Sequence, residues 1–145
     1  MDKKEKAIKI LKLLKKQYPK YPKPVSTYFQ IKTKDPFKVL MSTISSPRAK
    51  DSQTEKVSEQ LFKIADTPEK LIKLNTKKLE KVIYSIGFYK VKSKRVKQAA
   101  SYLINNYRGK VPNTLEELIK IPGVGRKVAN IVLAECYNKP SIAVD

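Results

Sequence analysis

The stretch TLEELIKIPGVGRKVANIVLAECY, residues 114–137, opens with Thr114 and places Glu117 three positions later. That spacing is a capping box, in which the threonine oxygen and the glutamate answer the free amides of a helix start. A short helix therefore begins at Thr114 and meets Pro122-Gly123-Val124-Gly125. Glycine permits positive φ and lets another backbone approach closely. After the second glycine, apolar residues recur at helical spacing from Arg126 to Tyr137, so a second helix begins there. Helix, glycine turn, helix is a helix-hairpin-helix pattern. The turn opens onto a helix N-terminus, whose outward amides and dipole favour an anion. A Gly-x-Gly alone is a weak signal, and a plain turn between two packed helices explains it as well.

The rest of the chain moves the reading towards DNA. Its 145 residues carry 32 Lys and Arg against 13 Asp and Glu, a formal charge of +19. Such an imbalance points to a polyanionic partner, nucleic acid before an anionic membrane surface. Lysines dominate, which suits diffuse phosphate contact better than bidentate base reading. The hairpin phosphate candidates are Pro122, Gly123, Val124, Gly125 and Arg126, which supply position rather than sequence information. Turn carbonyls are also candidates for holding a monovalent cation. Cys136 is the single cysteine and there is no histidine, so a Cys/His zinc site is excluded within one chain. A reducing, intracellular setting is expected. No apolar run reaches the roughly 18–20 residues that span a bilayer, and the N-terminus is too charged for a signal peptide. A membrane partner is therefore not expected.

The expected fold class is all-α. Asp2 caps a first helix to about Tyr18, with Ile8, Leu11 and Leu14 on one face. Pro19, Pro22 and Pro24 make a linker. Asp35-Pro36 opens a buried helix through Ile44. Asp51 caps the next, with Val57, Leu61, Phe62 and Ile64 inward. Thr67-Pro68 and Asn75 or Thr76 start two more, the second stopped by Gly87. A long helix runs from about Val91 to Tyr107. The domain reading is 1–25 for the N-terminal helix and linker, 26–138 for a helical lobe with the hairpin at 114–138, and 139–145 for an outgoing segment.

From Leu115 to Asp145 the residues LEELIKIPGVGRKVANIVLAECYNKPSIAVD resemble the helix-hairpin-helix and catalytic segment of the endonuclease III group of DNA base-excision glycosylases. IGFYKVKSKRVKQAA, residues 86–100, resembles the family's glycine-aromatic turn and following helix, and residues 37–51 its early core helix and loop. The resemblance implies a six-helix lobe plus the N-terminal helix. It implies an enzyme that flips a damaged base, an oxidised pyrimidine best matching Arg126-Lys127-Val128-Ala129-Asn130, out of double-stranded DNA. Lys127 matches the family's nucleophile, which forms a Schiff base at C1′ before β-elimination. Asp145 matches the essential acidic partner, which stabilises the sugar cation and assists proton transfer. Arg48 matches the side chain that fills the gap beside the orphaned base, a place where Gln is usual. Tyr89 and Lys90 are weaker candidates for duplex contact, with core packing the competing reading for Tyr89.

The physics of Lys127 agrees with that role. A helix start disfavours a cation, and an amine nucleophile acts in its neutral form. The chain departs from the family in ending at Asp145. Family members continue into a second lobe, usually with a four-cysteine [4Fe–4S] site, which Cys136 alone cannot build. The second lobe is thus expected to be incomplete, the isolated chain a weak catalyst, and the first helix a candidate for self-association or for docking a separate C-terminal fragment. Two alternatives stay open: a non-catalytic DNA-binding remnant or half of a split enzyme, and a basic RNA-associated helical protein.

Overall fold

In the computed structural model, which describes residues 1–144, Asp2 opens α1 (Lys3–Gln17) with a complete capping box. The Glu5 amide donates to Asp2 Oδ1 at 2.7 Å, and the Asp2 amide donates to Glu5 Oε2 at 3.1 Å. No residue of α1 is buried, and Ile8, Leu11 and Leu14 are exposed. A 3-10 turn (Tyr18–Lys20) and the prolines end it.

The core begins at Val25, the first residue of α2 (Val25–Thr33). Sequence reading leaves this segment unassigned, because Pro24 precedes it and no side chain caps it. Val25 and Phe29, one helical turn apart, are its buried face. Phe29 meets Phe62 edge-to-face at 5.3 Å. Polar pins hold α2 in place at its edges. Thr27 Oγ1 donates to Glu135 Oε1 at 2.5 Å, and Lys32 and the Tyr28 hydroxyl both donate to Glu59.

Helix α3 (Pro36–Ser45) is the centre of the lobe, packed against α2, α4 (Asp51–Ile64), α7 (Tyr89–Tyr107) and α9 (Arg126–Tyr137). Asp35 caps it by accepting from the Phe37 amide at 3.0 Å, and Pro36 takes the first helical position. Its buried hydroxyls fold back onto their own helix. Thr43 Oγ1 donates to the Val39 carbonyl at 2.6 Å and Ser45 Oγ to that of Met41 at 2.9 Å. That back-bonding removes the penalty of burying them.

Short helices α5 (Pro68–Lys73) and α6 (Thr76–Ile83) cover α7 and α4, capped by Thr67 and Asn75. Leu71, Leu79, Leu103 and Leu118 are fully buried. Truncating any of them to Ala costs about 2–5 kcal/mol. Helix α8 (Leu115–Leu118) is a single turn, and Thr114 Oγ1 both accepts from the Glu117 amide (3.3 Å) and donates to its carboxylate (3.0 Å). The expected lobe of six helices thus resolves into eight helical segments, α2 to α9, among the described residues. No described residue lies in a strand, and no described helix is long and apolar enough to cross a membrane.

Three local expectations change. Lys50, not Asp51, is the N-cap of α4, which puts Asp51 in the first turn. Ile64 is 41% exposed rather than inward. Helix α6 ends at Ile83, and in the turn to α7 the left-handed residue is Phe88 (φ 58°), not Gly87.

Candidate nucleic-acid interface and active site

The hairpin turn runs from Ile121 to Gly125. Ile121 and Val124 anchor it in the core, and the Val124 amide donates to the Ile121 carbonyl at 3.0 Å. Val124 is therefore removed from the phosphate-binding set that the sequence predicts, since its side chain is buried and its amide is used within the turn. Pro122 has no N–H to give. Gly123, Gly125 and Arg126 remain as amide candidates, all exposed. The two glycines differ. Gly123 is left-handed at φ 82°, with the Arg95 stem along its side, whereas Gly125 is extended (φ −96°, ψ −174°), caps α9 and faces open space.

Lys127 sits in the first turn of α9, two residues past the hairpin, and is exposed. It lines a cavity of about 430 Å³ with Thr43, Ser46, Pro47, Arg48, Asp51, Val128 and Ile131. The buried α3 supplies Thr43, the loop after it brings Arg48, and the first turn of α4 brings Asp51. The cavity therefore gathers an amine, a guanidinium, a carboxylate and two hydroxyls around an apolar wall. Asp145, the predicted acidic partner, lies outside the described residues.

Arg48 is exposed and left-handed (φ 57°), and its Cζ stands 5.4 Å from the ring centre of Phe88, itself left-handed and 60% exposed. Non-glycine residues seldom adopt this conformation, and each costs about 1–2 kcal/mol. Two such residues facing each other across adjoining turns present a guanidinium and a ring to solvent. The Arg48 carbonyl would lie 3.8 Å from a Cβ on Gly87, so the turns touch there. Tyr89, by contrast, packs on the core and against Tyr84 (ring centres 4.9 Å apart), so its competing reading describes it better. Lys90 is exposed on the same turn.

Residues 41–145 match the HhH-GPD superfamily of base excision DNA repair proteins. The chain belongs to that superfamily. The endonuclease III of Thermotoga maritima is 46% identical to this HhH-GPD chain over 114 residues, covering 79% of this chain and 54% of that protein. A non-covalent endonuclease III–DNA complex superposes with a TM-score of 0.84 at 33% identity, covering all of this chain and 65% of that one. A trapped endonuclease III–DNA covalent intermediate gives 0.82 at 32%, with the same coverage. The chain spans about half the length of the curated relatives it matches. Its residues do not fit an iron–sulfur cluster, because such a cluster takes four thiolates and Cys136 is the single cysteine. Among the described residues no group of three or more His, Cys, Asp or Glu stands together to hold a metal ion.

Sequence reasoning passed over Asp51, Phe88 and Lys92. In the sequence Asp51 reads as a helix cap. Phe88 follows Gly87 in an uncharged turn, where the sequence reading takes its aromatic neighbour Tyr89 instead. Lys92 is one lysine among many, and nothing in the pattern says that it is buried.

Proposed function

We propose that this HhH-GPD chain is the part of a bifunctional DNA glycosylase/AP lyase that carries the hairpin and the nucleophile, acting on a damaged base, an oxidised pyrimidine, in duplex DNA. The observation that supports it is the position of Lys127. It stands directly behind the hairpin and on the wall of a cavity edged by Arg48 and Asp51. Hairpin amides at Gly123, Gly125 and Arg126 hold a backbone phosphate and set the duplex against that cavity.

The neutral amine of Lys127 attacks C1′, and the glycosidic bond breaks with its electron pair leaving on the base, which takes up a proton. The C1′–O4′ bond then opens, the ring oxygen taking up a proton that the nitrogen gives up, and a protonated imine remains. Removal of a C2′ proton then expels the 3′ phosphate and cuts the strand. A carboxylate is needed as the sugar becomes cationic and as protons move. Asp145 is assigned that work, with Asp51 in the cavity lining positioned to meet polar edges of the flipped base. Arg48 fills the gap in the duplex, stacking and donating to the orphaned base. A reducing, intracellular compartment is assigned on the single cysteine.

Borohydride trapping on a duplex containing one abasic site tests this reading. A covalent adduct is expected with the wild-type chain and is lost in Lys127→Ala. An adduct that survives in that variant removes Lys127 from the chemistry. Duplex binding with no adduct from either chain assigns this chain to binding alone.

A further inference from the structure

A second cavity lies on the other side of Arg48 and has no part in the chemistry above. It measures about 270 Å³ and is lined by Pro47, Arg48, Phe88, Val91, Lys92 and Arg95. Three of these six residues are cations and none is a carboxylate. Lys92 is 2% exposed, and its Nζ has no hydrogen-bond partner among the described residues. An ammonium buried without a counter-charge is unfavourable, because it gives up its hydration for nothing in return. Burial, with the Arg95 charge second, holds this amine below the usual lysine range. The cavity also lies on the first turn of α7, the positive end of a 19-residue helix. Finally, it adjoins the hairpin, because the Arg95 side chain that lines it runs along Gly123, with Cβ 3.6 Å from where a glycine Cβ would stand.

We propose that this cavity is a phosphate site, with the Lys92 ammonium as its inner donor and Arg95 at its mouth. The unpartnered donor, a lining whose charges are all positive and the helix terminus each ask for an anion, and the volume accommodates a phosphate group. The source is either a phosphodiester of the DNA backbone, one step along from the hairpin, or a free phosphate or nucleotide. The DNA alternative rests on the DNA-binding reading above; the site itself does not.

Two measurements on the full chain, wild type and Lys92→Met, separate these outcomes. The first is the salt dependence of binding to an undamaged labelled duplex by fluorescence anisotropy. Losing one phosphate contact reduces the slope of log K against log salt by about 0.9, or roughly eightfold in affinity at 0.1 M salt. The second is the melting temperature in inorganic phosphate against chloride at matched ionic strength. A reduced slope in K92M assigns the site to the DNA backbone. An unchanged slope, with phosphate raising the melting temperature of wild type but not of K92M, assigns it to free phosphate. A folded K92M that matches wild type in both measurements overturns the proposal. Should K92M fail to fold, Arg95→Gln, at an exposed position, is read on the same two axes. A wild-type chain that binds no duplex sinks the DNA reading and leaves the phosphate titration to decide this one.

Discussion

Replacing each hairpin glycine by alanine separates backbone conformation from surface access. At Gly123 the φ of 82° is left-handed, while the nearest neighbour of an added Cβ is Arg95 Cβ at 3.6 Å, an ordinary contact. The methyl group fits, so the cost is the backbone's alone, about 1–2 kcal/mol. With a urea dependence of about 1–3 kcal/mol per molar, the midpoint of Gly123→Ala falls by roughly 0.3–2 M at constant slope. At Gly125 the backbone is extended and an added Cβ meets nothing within 4 Å. Alanine is a worse N-cap than glycine but restricts the unfolded chain, two terms of about 0.5–1 kcal/mol that oppose each other. Gly125→Ala should therefore unfold within about 0.5 kcal/mol of wild type. Its methyl group nonetheless stands in the open space assigned to a phosphate, so duplex affinity should fall while stability holds. Equilibrium urea unfolding and duplex anisotropy check both statements. Equal destabilisation by the two variants would refute the conformational argument. Unchanged duplex binding by Gly125→Ala would refute the placement of the phosphate.

Further outcomes follow from the pKa shifts and from the left-handed pair. Burial pushes the Cys136 thiol up to about 12 from an ordinary 9.0, and the neighbouring Tyr137 hydroxyl to about 12 from 10.0. Both groups are neutral when protonated, so their contribution is intact below pH 9 and is lost as pH rises from 9 towards 12. Stability by urea melts should fall across that window, and thiol labelling at pH 8 should be slower in the folded than in the unfolded chain; equal rates would contradict the partial burial of Cys136. Phe88→Gly should leave the urea midpoint unchanged or raise it, by up to about 1 kcal/mol of relieved strain. The same variant should bind abasic duplex more weakly, and a loss of stability above about 1 kcal/mol would show that the exposed ring is structural after all.

What sequence reading captured follows from where the information resides. Capping is local, so Asp2, Asp35, Thr67, Asn75 and Thr114 announce their helices within three residues. The hairpin is visible because glycine marks positive φ, as Gly123 does. Left-handed Arg48 and Phe88 carry no such mark, since their conformation is imposed by two turns meeting in space. Asp51 shows a related limit. One carboxylate near a helix start serves equally as a cap or as a side chain in a cavity, and only the fold that brings it to the same cavity as Lys127 separates the two. The segment α2 is short and uncapped, so its Val25–Phe29 pair was too brief a signal beside three prolines. Burial of Lys92 depends on which face of α7 turns inward, and a helix with lysines on several faces does not reveal that.

The first helix bears on how the molecule opens. Fifteen residues with a capping box and no buried side chain form a helix held by its own backbone bonds and caps. Isolated helices of that length are marginal in water. Its amides should therefore exchange with deuterium almost as fast as those of a free peptide, while those around Leu79 and Leu103 exchange only through global unfolding. The chain would then report two separate free energies, one near zero for α1 and one for the lobe. A melt followed by total helicity blends them, whereas one followed by burial of the core registers the lobe alone.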